Sequence, residues 1–394
     1  MRVACITHHR YPTEQEIRVT KLAMSLRGEG HDVIVYCPGN RADTSNDSFI
    51  HGEIRRLHAR GWIGRALLVP LPINPVWLFW LAFRFQKDRI GLVIVRDLRL
   101  FVPAFFASRL CRLPILLDIG EHYPGMMAIL GRQHFTHHLI RNRRLITWLE
   151  AWSVRLADAV LVVVEENRQR LSPFNRRIEV IGNYPPSLAF HCPSQSKSRI
   201  YSTDGPPVRV ISLGLIDSIR GLDLAIDAFT LLVRELPNVR LVIYGDGPFR
   251  QALETRVAAA GLKKVITFGG WVSTEQKYHV LTEGDIGLLL HKVCELTQHT
   301  QPNKLFDYMS VGIPVLSTRL RPVVRVLEAE HCGIAVDESP LAVASGLKGL
   351  ILDHEGRYRM GQNGRNACEH GYHWEDEAAK FLSCIREFLN KASA

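Results

Sequence analysis

The sequence contains no uninterrupted apolar run approaching twenty residues, so nothing in it reads as a membrane-spanning helix. Its eight cysteines, at 5, 37, 111, 192, 294, 332, 368 and 384, include no C-x-x-C and no paired spacing. That scatter argues against a disulfide framework or a zinc cluster and reads as reduced, cytosolic usage. G-x-G-x-x-G is also missing, which disfavours a dinucleotide-binding enzyme. Low-complexity tracts and internal repeats are absent. The opening residues MRVACIT carry one basic residue and a very short apolar run, so they read as a first strand rather than a signal peptide.

What is present is an ordinary globular composition, 46% hydrophobic and 22% charged, in 394 residues, enough for two domains with separate cores. The net charge of +10 is unevenly placed: residues 1–190 hold 26 Lys and Arg against 16 Asp and Glu, and residues 191–394 hold 23 of each. A one-sided excess points to an anionic, extended partner. An anionic membrane surface contributes on the order of 1 kcal/mol per nearby basic side chain. Nucleic acid is the competing partner, but no recognition helix, zinc finger or aromatic platform supports it.

The first half opens β-α-β: a buried strand at Arg2–Thr7, an amphipathic helix over Glu16–Gly28 with Val19, Leu22, Ala23 and Leu26 on one face, and a strand at Val33–Cys37. The loop His8–Glu16 then lies at the carboxyl end of the first strand, where open α/β sheets bind ligands. Residues 62–83 are the most apolar part, but Pro70, Pro72 and Pro75 prevent one continuous helix. Asn74-Pro75 is an N-cap and first-turn pair starting a helix through Phe83. A buried crossover helix is the expectation; Trp62, Trp77 and Trp80 dipping into a membrane interface is the alternative. Short runs at Leu92–Val95 and Ile115–Leu117 read as parallel strands. The second ends in DIGEHYP, which puts Asp118, Glu121 and His122 at the mouth of the sheet. Arg132, Arg141, Arg143 and Arg144 with His134, His137 and His138 form a basic segment without the carboxylate or cysteine that would complete a metal site. It suits a phosphate or lipid headgroup, or is a solvated basic face.

In the second half, residues 299–317, HTQPNKLFDYMSVGIPVLS, read as a short helix feeding a strand. Pro302 suits its first turn, and Gly312 sits where a left-handed C-cap is wanted. Lys304 and Asp307, three apart, share a face on which a lysine and the helix N-terminus can hold an anion while the carboxylate takes a sugar diol. The alternative is a surface Lys–Asp pair worth about 0.3 kcal/mol.

PNKLFDYMSVGIPVLS resembles the nucleotide-sugar signature of retaining glycosyltransferases with the GT-B fold, glycosyltransferase family 4. The family's Glu-x7-Glu pair falls on His299 and Asp307, with Glu295 nearby as a substitute for the first carboxylate. YPTEQEIRVTKLA resembles the family's opening and implies that Glu16 and Arg18 lie near the acceptor. DIGEHYP resembles Asp-x-His-Glu-x-x-Pro, with Gly120 at the histidine position and His122 displaced by two. GLIDSIRGLDLAIDAF resembles the Gly-Arg-x5-Lys-Gly loop that grips the donor diphosphate: Gly214 matches, Leu215 replaces the arginine, and Arg220 takes the lysine's place. LVIYGDGPFRQALE resembles the loop lining the nucleotide base, shaped by Gly245, Gly247 and Pro248. GYHWEDEAAKFLSCIREFLN resembles the aromatic-Trp-Glu ending whose last helix crosses back to the first domain.

The resemblance implies an α/β, GT-B protein of two Rossmann-like, doubly wound domains facing a central cleft: an acceptor-side domain at 1–186, a linker at 187–207, a nucleotide-sugar domain at 208–373 and a crossing-back helix at 374–394. It implies transfer of a sugar, with retention, from a nucleoside diphosphate sugar to a hydroxyl of a saccharide or polyprenyl-phosphate-linked acceptor, at the inner face of the cytoplasmic membrane. Asp118, Glu121, His122 and Arg220 fall at catalytic positions. Gly214, Arg220, Gly245, Gly247, His299, Asn303, Lys304, Leu305 and Asp307 fall at donor positions. Without an Asp-x-Asp motif, no metal is expected to hold the diphosphate, and no cofactor is expected beyond the donor itself. A nucleotide-sugar epimerase and a non-catalytic partner subunit are the alternatives, the latter suggested by Leu215, His299 and Gly120.

Overall fold

The computed structural model describes residues 1–12, 16–39, 46–49, 52–58, 74–129, 142–187 and 199–393. Trp62, Pro70 and Pro72, the segment from Arg132 to Arg141 with its three histidines, and most of the expected linker lie outside them. The chain divides into two compact units, Met1–Asn183 with Asp376–Ala394, and Tyr184–Glu375.

The first unit runs β1 (Arg2–Ile6), α1 (Ile17–Gly28), β2 (Asp32–Pro38), β3 (Asn46–Phe49), β4 (Gly52–Leu57), α2 (Pro75–Lys87), β5 (Leu92–Arg96), α3 (Phe101–Leu110), β6 (Ile115–Ile119), α4 (Tyr123–Ile129), α5 (Arg143–Leu156), β7 (Ala159–Val162), α6 (Glu165–Leu171) and β8 (Ile178–Val180). Its eight-stranded sheet has the order β3-β4-β2-β1-β5-β6-β7-β8, parallel apart from β3. Central strands are buried along their length, as parallel sheets covered on both faces require. Asn74 caps α2 as its sequence suggests, its side chain accepting from the Val76 and Trp77 amides. That helix is not buried all round: Trp77, Leu81 and Phe85 enter the core, while Phe79 and Phe83 are 70% and 60% exposed. Asn142 caps α5 in the same way.

The second unit runs β9 (Val208–Leu213), α7 (Leu222–Leu232), β10 (Val239–Tyr244), α8 (Arg250–Ala259), β11 (Ile266–Gly270), α9 (Thr274–Thr282), β12 (Ile286–Leu289), α10 (Lys304–Ser310), β13 (Val315–Thr318), α11 (Arg321–Glu330), β14 (Gly333–Val336), α12 (Pro340–Leu352) and α13 (His354–His370). Its parallel sheet has the order β11-β10-β9-β12-β13-β14. In each sheet the chain reverses its direction of winding once, between β1 and β5 and between β9 and β12. Open α/β sheets bind ligands outside the carboxyl ends of strands at such points.

The chain then finishes in α14 (Trp374–Ser393), which belongs to the first unit from Asp376 onward. Within that unit the Glu377 carboxylate accepts the Gly182 amide at 2.6 Å, and Arg386 pairs with Glu29 at 3.3 Å. Within the second unit the Trp374 amide donates to the Pro185 carbonyl at 2.9 Å. The first crossing therefore falls at Asn183–Tyr184, ahead of the expected end of the first domain at 186. Tyr184 goes with the second unit because its ring packs against Phe306 and Tyr372. The part of the expected linker that is described is also anchored there, since Arg199 pairs with Asp285 at 2.7 Å.

Candidate functional site

In the second unit the cations expected to meet a diphosphate converge. Arg220 ends a 3-10 turn, Ser218–Arg220, and Gly221 follows at φ +65 as the N-cap of α7. Only glycine fits at 221, because a Cβ would lie 1.8 Å from the Leu290 carbonyl oxygen. One Arg220 Nη donates to His291 Nε2 at 2.9 Å. His291 is buried at the end of β12, and burial, then the charges of Lys304 and Arg220, hold its imidazole well below the ordinary histidine range. It is therefore neutral, and its Nε2 accepts. Lys304, the first residue of α10, brings its ammonium to the backbone of Gly214, where a Cβ would be 4.0 Å from Nζ. Burial and then the neighbouring Arg220 charge push Lys304 down to about 7, with Asp307 opposing.

The two glycine loops beside these cations are packed together. A Cβ on Gly245 would strike the Gly214 carbonyl oxygen at 1.9 Å, and one on Gly247 the Ile216 carbonyl oxygen at 2.3 Å. Gly245 and Gly247 thus shape the loop rather than contribute chemistry. Asp307 is buried and paired with Lys277 of α9 at 2.7 Å, with the Tyr278 hydroxyl at 3.5 Å. The partner of this carboxylate comes from another helix, not from Lys304 on its own face. Leu305 is fully buried in the core and acts by anchoring α10. The helix is shorter than expected: it starts at Lys304, Pro302 precedes it, and Asn303 makes no side-chain cap. With so short a helix, local positive charge comes mainly from the side chains of Arg220 and Lys304. His299 closes a 3-10 turn and donates from Nδ1 to the Glu295 carbonyl at 2.9 Å, a link that leaves Nε2 as its second ring nitrogen.

In the first unit the expected residues meet at the carboxyl ends of β1, β5 and β6. Asp118 is fully buried. Arg18 Nε and Nη2 reach its two oxygens at 2.8–3.0 Å, and Arg96 Nη1 stands 3.4 Å away. Burial alone would raise the Asp118 pKa; Arg18 and then Arg96 outweigh it and hold the carboxyl below its usual range. Arg18 is itself buried and also donates to the Ile181 carbonyl at 2.9 Å, so it braces α1 against the sheet. His122 is buried, its Nδ1 accepting from the Gly125 amide at 2.9 Å inside the first turn of α4. Glu121 lies in the loop between β6 and α4. Arg96 fills the space beside Gly120: a Cβ there would fall 2.2 Å from the guanidinium, so a side chain at that position would have to displace it.

Sequence reasoning did not single out Arg96, Asp97, His8 or His9 as site residues. Asp97 takes φ +72, ψ 163, a strained conformation for a residue with a Cβ, and pairs with Arg96 at 3.3 Å. His8 Nδ1 is 3.7 Å from Asp97, and burial above all pushes His8 down to about 3. His9 Nε2 is 3.8 Å from Glu16, and burial pushes the Glu16 carboxyl up to about 7 against the pull of Arg96. The ligand atoms of His8, His9 and Asp97 lie within 4.8 Å of one another, close enough for a metal ion. Arg96 already neutralises Asp97, which opposes a divalent cation. The only signal available was position, at the ends of predicted strands.

Residues 194–367 match the family model described as Glycosyl transferases group 1, and residues 15–184 match Glycosyltransferase Family 4. Both halves of the chain are glycosyltransferase domains. The alpha-D-kanosaminyltransferase of Streptomyces kanamyceticus is 27% identical over 380 residues, covering 88% of this chain and 92% of that protein. A GDP-mannose-dependent alpha-(1-6)-phosphatidylinositol monomannoside mannosyltransferase of Mycobacterium tuberculosis is 23% identical over 180 residues, covering 45% and 47%. Among solved structures, sucrose-phosphate synthase from Thermosynechococcus elongatus superposes with a TM-score of 0.78 at 16% identity over 99% of each chain. Anabaena HepE in complex with UDP and glucose does so at 0.74 and 14%, over 98% of this chain and all of that one. The likeness establishes the GT-B fold for this glycosyltransferase chain.

Proposed function

We propose that this protein transfers a sugar from a nucleoside diphosphate sugar to a hydroxyl of a saccharide or lipid-linked acceptor, with retention and without a metal ion. The observation that carries the reading is the convergence of Arg220 with Lys304, which stands beside Gly214: burial and then the Arg220 charge lower the proton affinity of the lysine. Two cations held together by the fold are preorganised for a diphosphate, the charge that develops when the sugar leaves. Arginine at 220 offers a planar fork for phosphate oxygens, aimed by the neutral His291. Asp307, oriented by Lys277, is placed to accept from a ribose diol. At the reacting end Glu16, with His9 and the Arg96–Asp97 pair, supplies a carboxyl poised to exchange a proton near neutrality, and Asp118 fixes that architecture through Arg18 and Arg96. Support for an acceptor at an anionic membrane surface comes from the charge excess of the first half; among the described residues no helix is long and apolar enough to cross a membrane.

The test is thermal stabilisation by UDP, GDP and NAD in excess, on wild type and Asp307→Ala. A ligand at about a hundred times its dissociation constant stabilises by roughly 2.7 kcal/mol. A shift with one nucleoside diphosphate that fades in the variant is expected, followed by an α-configured product from an α-linked donor. Stabilisation by NAD alone, or by nothing, would overturn the reading.

A further inference from the structure

The edge of the first sheet opposite its site holds a separate feature. A cavity of about 500 Å3 opens there, lined by Arg109, Arg112, Asp158, Arg177 and, from α14, Phe388. The geometry points to a phosphate-binding site, in which Arg112 and Arg177 take the anion and Asp158 sets Arg109 beside it.

Topology brings these residues together. Arg112 precedes β6, Asp158 precedes β7 and Arg177 precedes β8, and these strands are consecutive neighbours in the sheet. The Asp158 carboxylate is already engaged, accepting from the Ile115 amide at 2.9 Å and from Arg109 Nη2 at 2.8 Å. Among the described residues, no carboxylate pairs with Arg112 or Arg177. Three guanidiniums therefore face one cavity with a single acid among them.

Arg112 carries a second mark. It follows the C-cap Cys111 of α3 at φ +55, where Leu113 donates to the Ser108 carbonyl at 2.8 Å. That is a Schellman ending, whose left-handed residue is ordinarily glycine. The same ending closes α2 with Arg89 at φ +52, so what sets Arg112 apart is that it lines the cavity. Leu110, 65% exposed, and Phe106 lie on the same helix. Two guanidinium forks on one anion match the several acceptor oxygens of a phosphate better than the two of a carboxylate. The phosphate can belong to a lipid headgroup or to a soluble molecule, and the experiment separates them.

The full chain is titrated at one salt concentration with phosphatidylcholine vesicles with and without phosphatidic acid, and separately with inorganic pyrophosphate. Pyrophosphate binding is read with UDP or GDP saturating the second unit. The cavity variant is Arg112→Gly with Arg177→Gln; glycine suits the backbone at 112, and the thermal midpoint is recorded to confirm folding. The charge-matched control is Arg27→Gln with Arg168→Gln, exposed residues of α1 and α6. The expected result is a loss of about tenfold or more in the cavity variant and little change in the control. Loss on vesicles alone identifies a headgroup; loss with pyrophosphate identifies a soluble phosphate. Equal loss in both variants, reflecting diffuse charge only, or no binding by wild type in either arm, would overturn the site.

Discussion

A lysine pushed down to about 7 is half-charged at neutral pH, and Lys304 is in that state because it is desolvated beside Arg220. Its ordinary value is 10.5, so between about 7 and 10.5 the unfolded chain binds the extra proton and stability rises with pH. A bound diphosphate reverses the local balance and restores that proton. Nucleotide affinity should therefore fall as pH rises above about 7, by at most tenfold per pH unit. Calorimetry in two buffers of different ionisation enthalpy would register the proton uptake, and Lys304→Arg should flatten the profile. A flat wild-type profile with no uptake would contradict it. Glu16 runs the other way. Its carboxyl is raised from 4.5 to about 7, so the folded state holds the extra proton in that window and stability falls as pH rises through it. Glu16→Gln should gain about 1–3 kcal/mol over wild type at pH about 8 and much less at about 5 in urea unfolding.

Among elements, the end of β6 carries the heaviest constraint. Asp118 joins it to α1 through Arg18, and Arg18 continues to the Ile181 carbonyl beyond β8. Asp118→Asn keeps the shape but leaves two guanidiniums facing a neutral amide, one of them buried. Breaking a buried pair on one side costs about 3–5 kcal/mol. Chemical denaturation should show that loss in the first unit. A thermal or urea midpoint equal to wild type would mean that the pair is not structural. Capping was a more local matter: Asn74 and Asn142 both hold the first-turn amides that follow them, a role set by the few residues around each.

Across the whole molecule, what sequence made legible was what depends on neighbours along the chain. The strands at Arg2–Ile6, Leu92–Arg96 and Val208–Leu213 announce themselves by β-branched runs, and the glycine at 312 by the turn that needs it. The fold followed. What stayed hidden was contact between residues far apart. Lys277 reaches Asp307 across thirty positions, and Arg18 reaches Asp118 across a hundred. Nothing near Asp307 foretells that partner, because charged residues on a helix face look alike until the helix opposite is known. Arg96 and Asp97 read only as a strand's end, although their backbone strain and pairing set them apart once folded.

The hydrogen bond between Trp374 and Pro185 has a consequence for the chain as a string. It brings the entry and exit of the second unit within 2.9 Å, and the bond from Gly182 to Glu377 likewise brings together the two cut edges of the first. The second unit is therefore an insertion with its ends already side by side. Such a piece can be lifted out as a free-standing protein, and the remainder closed by a turn of a few residues.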